Sequence, residues 1–592
     1  MAKWMMAAKK ADFDKIAKEF GVSPVLARIM RNRDLQTEEE IRKFLNGTIA
    51  DLYEPSLMKG MVQGCSLLAK KIKEQALIRI IGDYDVDGIC ATYILLRGLR
   101  ELGAKVDTVI PHRMKDGYGL NDHLIEQAKA DGMDTIVTCD NGIAAASQIE
   151  LAKSYGMTVI VTDHHEVPYE EVDGKKEYHI PPADVVIDPK QEDCGYPYKQ
   201  ICGAVVAYKL IQELFSMETE QEQTEKKQIL QELLAFAALA TICDVMELKD
   251  ENRILVKEGL HVMEHTTNLG LKALLMVNGL EQKTLSPYHA GFVIGPCLNA
   301  TGRLDTAGRA LELFDASDWK EAVNFATDLK ALNESRKQMT EDGVKAAIEQ
   351  VEASLLEDDV LVVYLPDCHE SLAGIIAGKI RERYHKPTFV LTKGEEGIKG
   401  SGRSIEAYSM YDEMNRCKEL FSKFGGHKLA AGLTLANDNV EEFRRVLNEN
   451  STLEEADFQE IVHIDVPMPL ALISREFIKE MELLEPFGVG NPKPLFARKN
   501  ISLISGNRLG KSGKYRKFQI ADEQGKTYTT VYFGDCEEMD RYLAERYGEE
   551  KIVRLYQGKL AVGEVIISMV YYPELNVFQG RESVQMMMQY YC

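Results

Sequence analysis

The chain of 592 residues is poor in several features, and each shortage excludes something. Its longest smooth apolar run, residues 233–243, is about half the roughly 20 residues that a membrane span requires. Residues 1–15 hold no apolar signal-peptide core, so the expectation is a cytoplasmic protein with no membrane partner. None of the eleven cysteines forms a C-x-x-C pair, and most lie inside apolar runs. That spacing argues against a zinc knuckle or a disulfide framework and predicts reduced, mostly buried thiols. Positive charge is also scarce: 71 Lys and Arg against 93 Asp and Glu leave a net charge of −22. Such a balance argues against a surface that coats duplex DNA indiscriminately. It does not exclude nucleic acid, because phosphate affinity depends on local basic patches. There is no internal repeat and no low-complexity tract.

What is present is material for several domains. At roughly 150 residues each, about four are expected, and a composition of 45% apolar and 28% charged residues is ordinary for a soluble globular chain. Residues 1–62 read as a helical segment, with a capping signature at Thr37-Glu38-Glu39-Glu40 opening a short helix that ends near Asn46-Gly47. Within residues 63–315, β-rich runs at 77–81, 106–110, 135–138, 158–162 and 184–187 alternate with helical stretches, the spacing of βαβ units in a mostly parallel sheet. Residues 316–356 read as a long connecting helix or helix pair, and residues 357–455 as a second α/β domain with strands at 360–365 and 387–391 around a helix at 374–383. In residues 456–592, six short strands at 501–504, 517–520, 528–533, 553–556, 565–572 and 584–590 predict a small β-barrel.

The chemistry concentrates at the ends of the first strands. The first runs into Gly82-Asp83-Tyr84-Asp85-Val86-Asp87-Gly88, with carboxylates at alternate positions. The third ends in Asp140-Asn141-Gly142, the fourth in Asp163-His164-His165, and Asp244 follows the apolar helix at 233–243. In open α/β sheets the ligand site lies at the carboxyl ends of the strands. So many carboxylates together raise one another's pKa unless a cation offsets them. Oxygen donors with imidazole and no thiolate favour Mn2+ or Mg2+. Two such ions activate water and steady both oxygens of an in-line phosphoryl displacement.

Each of these residues also has a plainer reading. Asp83-x-Asp85-x-Asp87-Gly88 opens like an EF-hand loop, but the twelfth position is Ile94 and a strand precedes it. Taken singly, Asp140 is more often a turn residue and a His-His pair a structural feature; the joint placement at successive strand ends is what carries weight. Cys139 and Cys243 adjoin the proposed ligands, and alternation along a strand puts Cys139 on the opposite face, under the sheet. The stretch from Gly506 to Ser512 falls one residue short of a Walker loop with no helix following, so it reads as a hairpin loop.

Asp85 and Asp87, Asp140, the Asp163-His164-His165 triplet and Asp244 together resemble the four motifs of the DHH phosphoesterase superfamily. The resemblance extends to the RecJ branch through Arg31-Asn32-Arg33 and Phe44-Leu45, Gly295-Pro296 to Asn299 and Gly302-Arg303-Leu304, Gly400 to Ser404, Gly425-Gly426-His427, and Glu485-Pro486-Phe487-Gly488 with Gly490-Asn491-Pro492. It implies a catalytic DHH domain, a linker helix, a DHH-associated domain and an oligonucleotide-binding-fold barrel. It implies Asp85, Asp87, Asp140, His164 and Asp244 as ligands of two Mn2+ or Mg2+ ions, with Asp83 supporting them and His165 meeting the scissile phosphate. Asn299 and Arg303 would hold substrate phosphates from one side of a cleft that admits one strand, and Ser401, Arg403 and His427 from the other. One departure is Cys243, where the family more often has a small residue before the aspartate.

In the barrel, Arg508, Lys511, Lys514, Arg516 and Lys517 surround Tyr515 and Phe518, cations to track a backbone and rings to stack bases. The plainer alternative is a solvated basic hairpin. The resemblance implies a monomeric 5′→3′ exonuclease on single-stranded DNA, releasing 5′-mononucleotides in repair and recombination, with a single-strand-binding protein or helicase as a possible partner. Two rivals remain: a DHH phosphodiesterase for short oligonucleotides or cyclic dinucleotides, which needs no added barrel, and a non-catalytic replication scaffold, which needs no complete ligand set.

Overall fold

Runs rich in Val, Ile and Thr with apolar residues on both faces belong in a parallel sheet covered on both sides. Leu77–Ile81, Lys105–Val109, Thr135–Cys139, Thr158–Thr162 and Val185–Ile187 form such a sheet, within a residue or two of the expected runs. All four pairings are parallel. Lys105–Val109 lies on one side of Leu77–Ile81 and Thr135–Cys139 on the other, so strand order reverses at the first strand. Alternation along each strand splits the core. Ile78, Ile80, Val137 and Ile160 pack with the helices Val86–Glu101, Gly203–Ser216 and Glu220–Cys243, whereas Ile81, Ile136, Val159 and Val161 pack with Leu124, Ile125, Ile149 and Ala152.

This is a computed structural model that describes residues 2–112, 119–394, 397–436, 439–510, 513–578 and 580–592. The described chain divides into two compact units, Thr48–Phe458 and Met1–Gly47 with Gln459–Cys592.

In the larger unit the connecting segment is one helix, Trp319–Ser354, started by the Asp318 carboxylate, which accepts from the amides of Lys320 and Glu321. At 1.5 Å per residue it is about 54 Å long. Its Ala322, Ala326 and Leu329 belong to the first core and its Ala347 and Val351 to a second. That second core lies under a five-stranded sheet in the order Phe421–Gly426, Ala430–Leu435, Gly397–Arg403, Thr388–Gly394, Leu361–Tyr364. Only the last pairing is parallel.

In the smaller unit, Phe496–Leu509, Tyr515–Ala521, Thr527–Tyr532, Arg581–Tyr591 and Ile566–Phe578 close into a five-stranded barrel, because the first strand also pairs with the last. The strand expected at 553–556 is instead the end of helix Glu549–Tyr556. Its buried Ile552 and Leu555 are three residues apart, a helical spacing rather than a strand alternation. The helical segment expected to stand by itself at the start of the chain shares the barrel core. Leu26, Ile29, Met30, Ile41 and Phe44 are buried with Phe496, Phe518 and Tyr571, and Lys3–Met6 pairs in parallel with Ile461–Ile464. The buried Arg33 guanidinium locks this arrangement, bonding Asp465 at 2.8 Å, Asn491 at 2.8 Å and the carbonyl of Pro492 at 2.6 Å. Two motifs distant in sequence are therefore halves of one structural joint. The expected capping box forms, with Glu40 N–H to Thr37 Oγ1 at 3.1 Å and Thr37 N–H to Glu40 Oε2 at 2.9 Å.

All eleven cysteines are free thiols, most of them buried. Among the described residues no helix is long and apolar enough to cross a membrane.

Candidate active site

The carboxyl ends of three adjacent strands deliver Asp83, Asp140 and Asp163 to one edge of the sheet, at and beside the position where strand order reverses. Backbone geometry sets each acid. Asp85 is the N-cap of helix Val86–Glu101 and accepts from Gly88 N–H at 3.1 Å. Asp87 is buried in the first turn and receives the first two amides of another helix, Gly203 N–H at 2.6 Å and Ala204 N–H at 2.7 Å. Asp140 leaves its strand at φ 60°, a left-handed conformation that aspartate tolerates better than most residues. Asp244 is the C-cap of helix Glu220–Cys243. Glycine is required where that cradle closes: a Cβ at Gly203 would lie 2.7 Å from the Cβ of Asp140.

His164 sits among these acids, its Nε2 3.0 Å from Asp140, 3.5 Å from Asp87 and 3.8 Å from Asp244. Potential ligand atoms fall into overlapping sets, each within 4.8 Å: Asp83, Asp85 and Asp140; Asp87, His164 and Asp244; and Asp140, His164 and His165. Asp83, expected only to support the ligands, is thus grouped with them. Burial, with Asp85 behind it, pushes the Asp83 carboxyl up to about 8. Burial, with Asp87 and Asp85, likewise pushes Asp244 to about 8. Asp85 and Asp140 are raised by burial and then by Asp87. Burial holds the His164 imidazole below its ordinary value, so it is neutral and keeps a lone pair. Asp83 Oδ2 and His164 Nδ1 are buried without a hydrogen-bond partner. Crowded carboxylates, a neutral imidazole and an orphaned oxygen fit a pair of divalent ions with oxygen and nitrogen ligands.

His165 is different in kind. Its Nδ1 lies 2.7 Å from Asp163 Oδ1, and its side chain remains 43% exposed. Burial pulls its pKa down, but the hydrogen bond and charge of Asp163, with Asp244 and Asp87, win and hold it at about 9. Asp163 is itself buried and would be raised by that. The hydrogen bond and charge of His165, with the Ile143 amide at 2.9 Å, keep it low instead. Asp163 entered the sequence reading as part of a motif and without a role; the structure makes it the orienting partner of His165. A further acid was missed. Asp188 ends the fifth strand as Asp140 ends the third, is fully buried, and is raised to about 8 by burial and then by Asp163. Its position after a β-rich run was the available signal. Cys139 packs under the sheet as expected, its sulfur 3.5 Å from Thr92 Oγ1, and Cys243 Sγ faces the Ala290 carbonyl rather than the acids.

Helix Gly295–Leu304 carries Asn299 and Arg303 and packs on the acidic loop so closely that a Cβ at Gly302 would lie 2.6 Å from the Tyr84 carbonyl oxygen. Arg303 Nη1 donates to the Ser371 carbonyl at 2.6 Å, joining this helix to the second sheet domain. Ser371 and Ser401 line one pocket of 150 Å³, with Lys399 and Thr392. Arg403 lies over the start of helix Ala373–Tyr384, and a Cβ at Gly374 would meet its guanidinium at 2.9 Å. His427 is exposed in the turn after Phe421–Gly426.

The barrel hairpin is brought together only in part. Arg508 and Lys514 are exposed, Lys517 is half-buried, and Lys511 lies outside the described residues. Arg516 is not available to substrate. Its buried guanidinium bonds Asp540 at 2.8 Å, the Tyr556 hydroxyl at 2.9 Å and the Gly513 carbonyl at 2.6 Å. Strand alternation turned it inward, and likewise Phe518, which is a core residue. Tyr515 pairs instead with Phe533, their ring centroids 4.7 Å apart; Phe533 is 52% exposed and had been read only as a strand end.

Comparison with known proteins follows these boundaries. The DHH family, N-terminal domain, matches residues 77–241, the DHHA1 domain residues 357–451 and the RecJ OB domain residues 464–590. A single-stranded-DNA-specific exonuclease RecJ of Bacillus subtilis is 35% identical over 88% of this chain, which spans 64% of that relative's length. The protein of the same name from Haemophilus influenzae is 30% identical over 96% of both chains. The crystal structure of RecJ in complex with Mn2+ from Thermus thermophilus superposes with a TM-score of 0.79 at 25% identity, covering all of this chain and 79% of that one. With the three domains in order and the likeness running nearly end to end, the chain belongs to the RecJ family.

Proposed function

We propose that this chain is a metal-dependent exonuclease that hydrolyses single-stranded DNA from the 5′ end and releases 5′-mononucleotides. The observation that carries the reading is the convergence of Asp83, Asp85, Asp87, Asp140, Asp244 and His164 on one sheet edge beside a charged His165. Solved RecJ structures of Thermus thermophilus hold Mn2+ or Mg2+. Here Asp83, Asp85 and Asp140 would hold one ion and Asp87, His164 and Asp244 the other, with Asp140 within reach of both. When bound, the ions polarise an attacking water and the phosphate and offset the crowded negative charge.

The protein's own side chains do the rest. Asp163 accepts from His165 Nδ1–H and fixes the imidazolium, leaving Nε2–H to donate to a phosphate oxygen as negative charge develops. Arg303 and Asn299 hold the strand from the helix above the acids, and Ser401, Arg403 and His427 hold it from the second sheet domain. In the barrel, Arg508, Lys514 and Lys517 follow the backbone while Tyr515 stacks a base. The protein would act as a cytoplasmic monomer in repair and recombination, on strands opened by a helicase or held by a single-strand-binding protein. A short-substrate phosphodiesterase would need neither the barrel nor its exposed rings. Degradation of 5′-labelled single-stranded and duplex DNA with and without Mn2+ tests the reading. Metal-dependent loss of the single strand alone is expected, and equal attack on duplex or full activity in chelator would overturn it.

A further inference from the structure

A second cluster of metal-binding side chains lies at the far end of a different helix, outside everything described above. Helix Asp250–Glu264 ends in His261, Glu264 and His265, the last being its C-cap. Residues three and four apart share one face of a helix, so these three side chains rise together. Their nearest ligand atoms all lie within 4.8 Å of one another. His261 Nδ1 is 3.7 Å from Glu264 Oε2, and the two imidazole rings stand edge to face with centroids 5.2 Å apart.

Other features bear on what the cluster binds. Glu264 is held from behind, since its Oε1 accepts the Leu285 amide at 2.6 Å and leaves Oε2 toward the histidines. Beside the rings is a pocket of 190 Å³ lined by Glu232, Gln228, Gln231, Thr266 and Thr267 with both histidines. Glu232 is fixed there by Thr267 Oγ1 at 2.9 Å, adding negative charge on the open side. Two imidazoles and one or two carboxylates form a donor set unlike the oxygen-rich catalytic cluster. Imidazole favours Zn2+, Ni2+ or Cu2+, whereas carboxylate-rich sites suit Mn2+ and Mg2+.

We propose that His261, Glu264 and His265 form a second, non-catalytic metal site that takes a transition-metal dication such as Zn2+, Ni2+ or Cu2+. All three ligands come from the end of helix Asp250–Glu264, and Glu232 of the neighbouring helix Glu220–Cys243 adds negative charge to the adjoining pocket. The unmodified chain and its His261→Ala/His265→Ala variant share an identical catalytic cluster, so any difference in uptake counts the second site alone. Titrated with Cu2+ and followed by electron paramagnetic resonance, the unmodified chain is expected to bind one more equivalent than the variant, with hyperfine structure from two nitrogens. Glu264→Gln should retain that equivalent with weaker affinity, because a neutral amide replaces a charged ligand oxygen. Mn2+-dependent hydrolysis should be the same in all three proteins, which shows that each is folded. Equal Cu2+ stoichiometry with and without the histidines overturns the site, and unchanged affinity in Glu264→Gln overturns its carboxylate ligand.

Discussion

The acidic edge of the DHH sheet and the basic hairpin of the barrel both face phosphate in the proposed function, yet they hold charge in opposite ways. At the sheet edge backbone pins the acids: Asp85 by its own helix, Asp87 by two amides of another, Asp140 by a left-handed residue, Asp163 by three amides. In the hairpin Arg508 and Lys514 are exposed, Arg508 with its guanidinium 5.6 Å from the Tyr556 ring, whereas Arg516 is held by Asp540 and Tyr556. Bond cleavage needs charge placed to a fraction of an ångström in a water-poor site. Tracking a polymer needs only charge that displaces counterions and can shift with the strand.

The contrast is most easily broken by removing a pinned acid. Asp140→Ala should lower Mn2+-dependent hydrolysis by about a thousandfold or more, the loss expected when several kcal/mol of ion-supplied stabilisation go, while affinity for a long single strand stays near normal. Turnover within tenfold of the unmodified protein would remove Asp140 from the site. Next in size is the His165 pair. His165→Ala should cost roughly 10²–10³-fold in kcat, as for loss of one donor to a developing negative charge. Asp163→Asn should lower kcat by less and shift the pH profile, because His165 then loses its main charge partner; an unchanged profile would deny Asp163 its orienting role.

Stability sharpens the comparison further. Asp83 and Asp244 stand at about 8 in the folded metal-free chain against an ordinary 3.8. Between those values the folded state binds more protons than the unfolded state, so metal-free stability should fall as pH rises from about 4 to 8. Mn2+ should restore it, since a ligand bound only by the folded state stabilises that state. Melting temperatures in chelator and in Mn2+ across that range measure both effects, and parallel curves would mean that the acids do not respond to the ion. The smallest effects belong to the hairpin. Arg508→Ala with Lys514→Ala should reduce the salt slope of single-strand binding by about 0.7 per charge and leave stability alone. Tyr515→Ala should weaken binding by roughly 1–3 kcal/mol. Arg516→Ala should do the reverse, costing about 1.5–3 kcal/mol of stability by removing the charge-assisted bonds of its guanidinium to Asp540 and the Gly513 carbonyl with little change in salt slope. A destabilising Arg508 or a salt-active Arg516 would erase the distinction.

Sequence reading reached the acids because strand ends are locally encoded: a β-branched run followed by Asp places a carboxylate at the sheet edge whatever surrounds it. It missed Asp188 for want of a motif, although the same local logic applied. The glycine-rich strands Gly397–Arg403, Phe421–Gly426 and Ala430–Leu435 were hidden because glycine suppresses the β signal on which such runs are recognised. The barrel hairpin was legible as basic, but Asp540, the partner of the inward-turned Arg516, arrives from a later helix. Arg33 and Asn491 both lie in motifs read from the sequence, but a separation of 458 positions conceals that they touch.

The two amides that hold Asp87 carry a consequence for how this site would be dissected. A scan that trims side chains one by one leaves both donors in place, so it assigns the contact to no residue at all. Replacing Gly203 adds bulk against Asp140 and reports crowding instead. Proline is the one coded residue without the N–H, and the first turn of a helix accepts it. Ala204→Pro therefore deletes one backbone bond to Asp87, but its ring Cδ takes the place of that N–H, so the carboxylate has to shift and the loss reports main chain and crowding together.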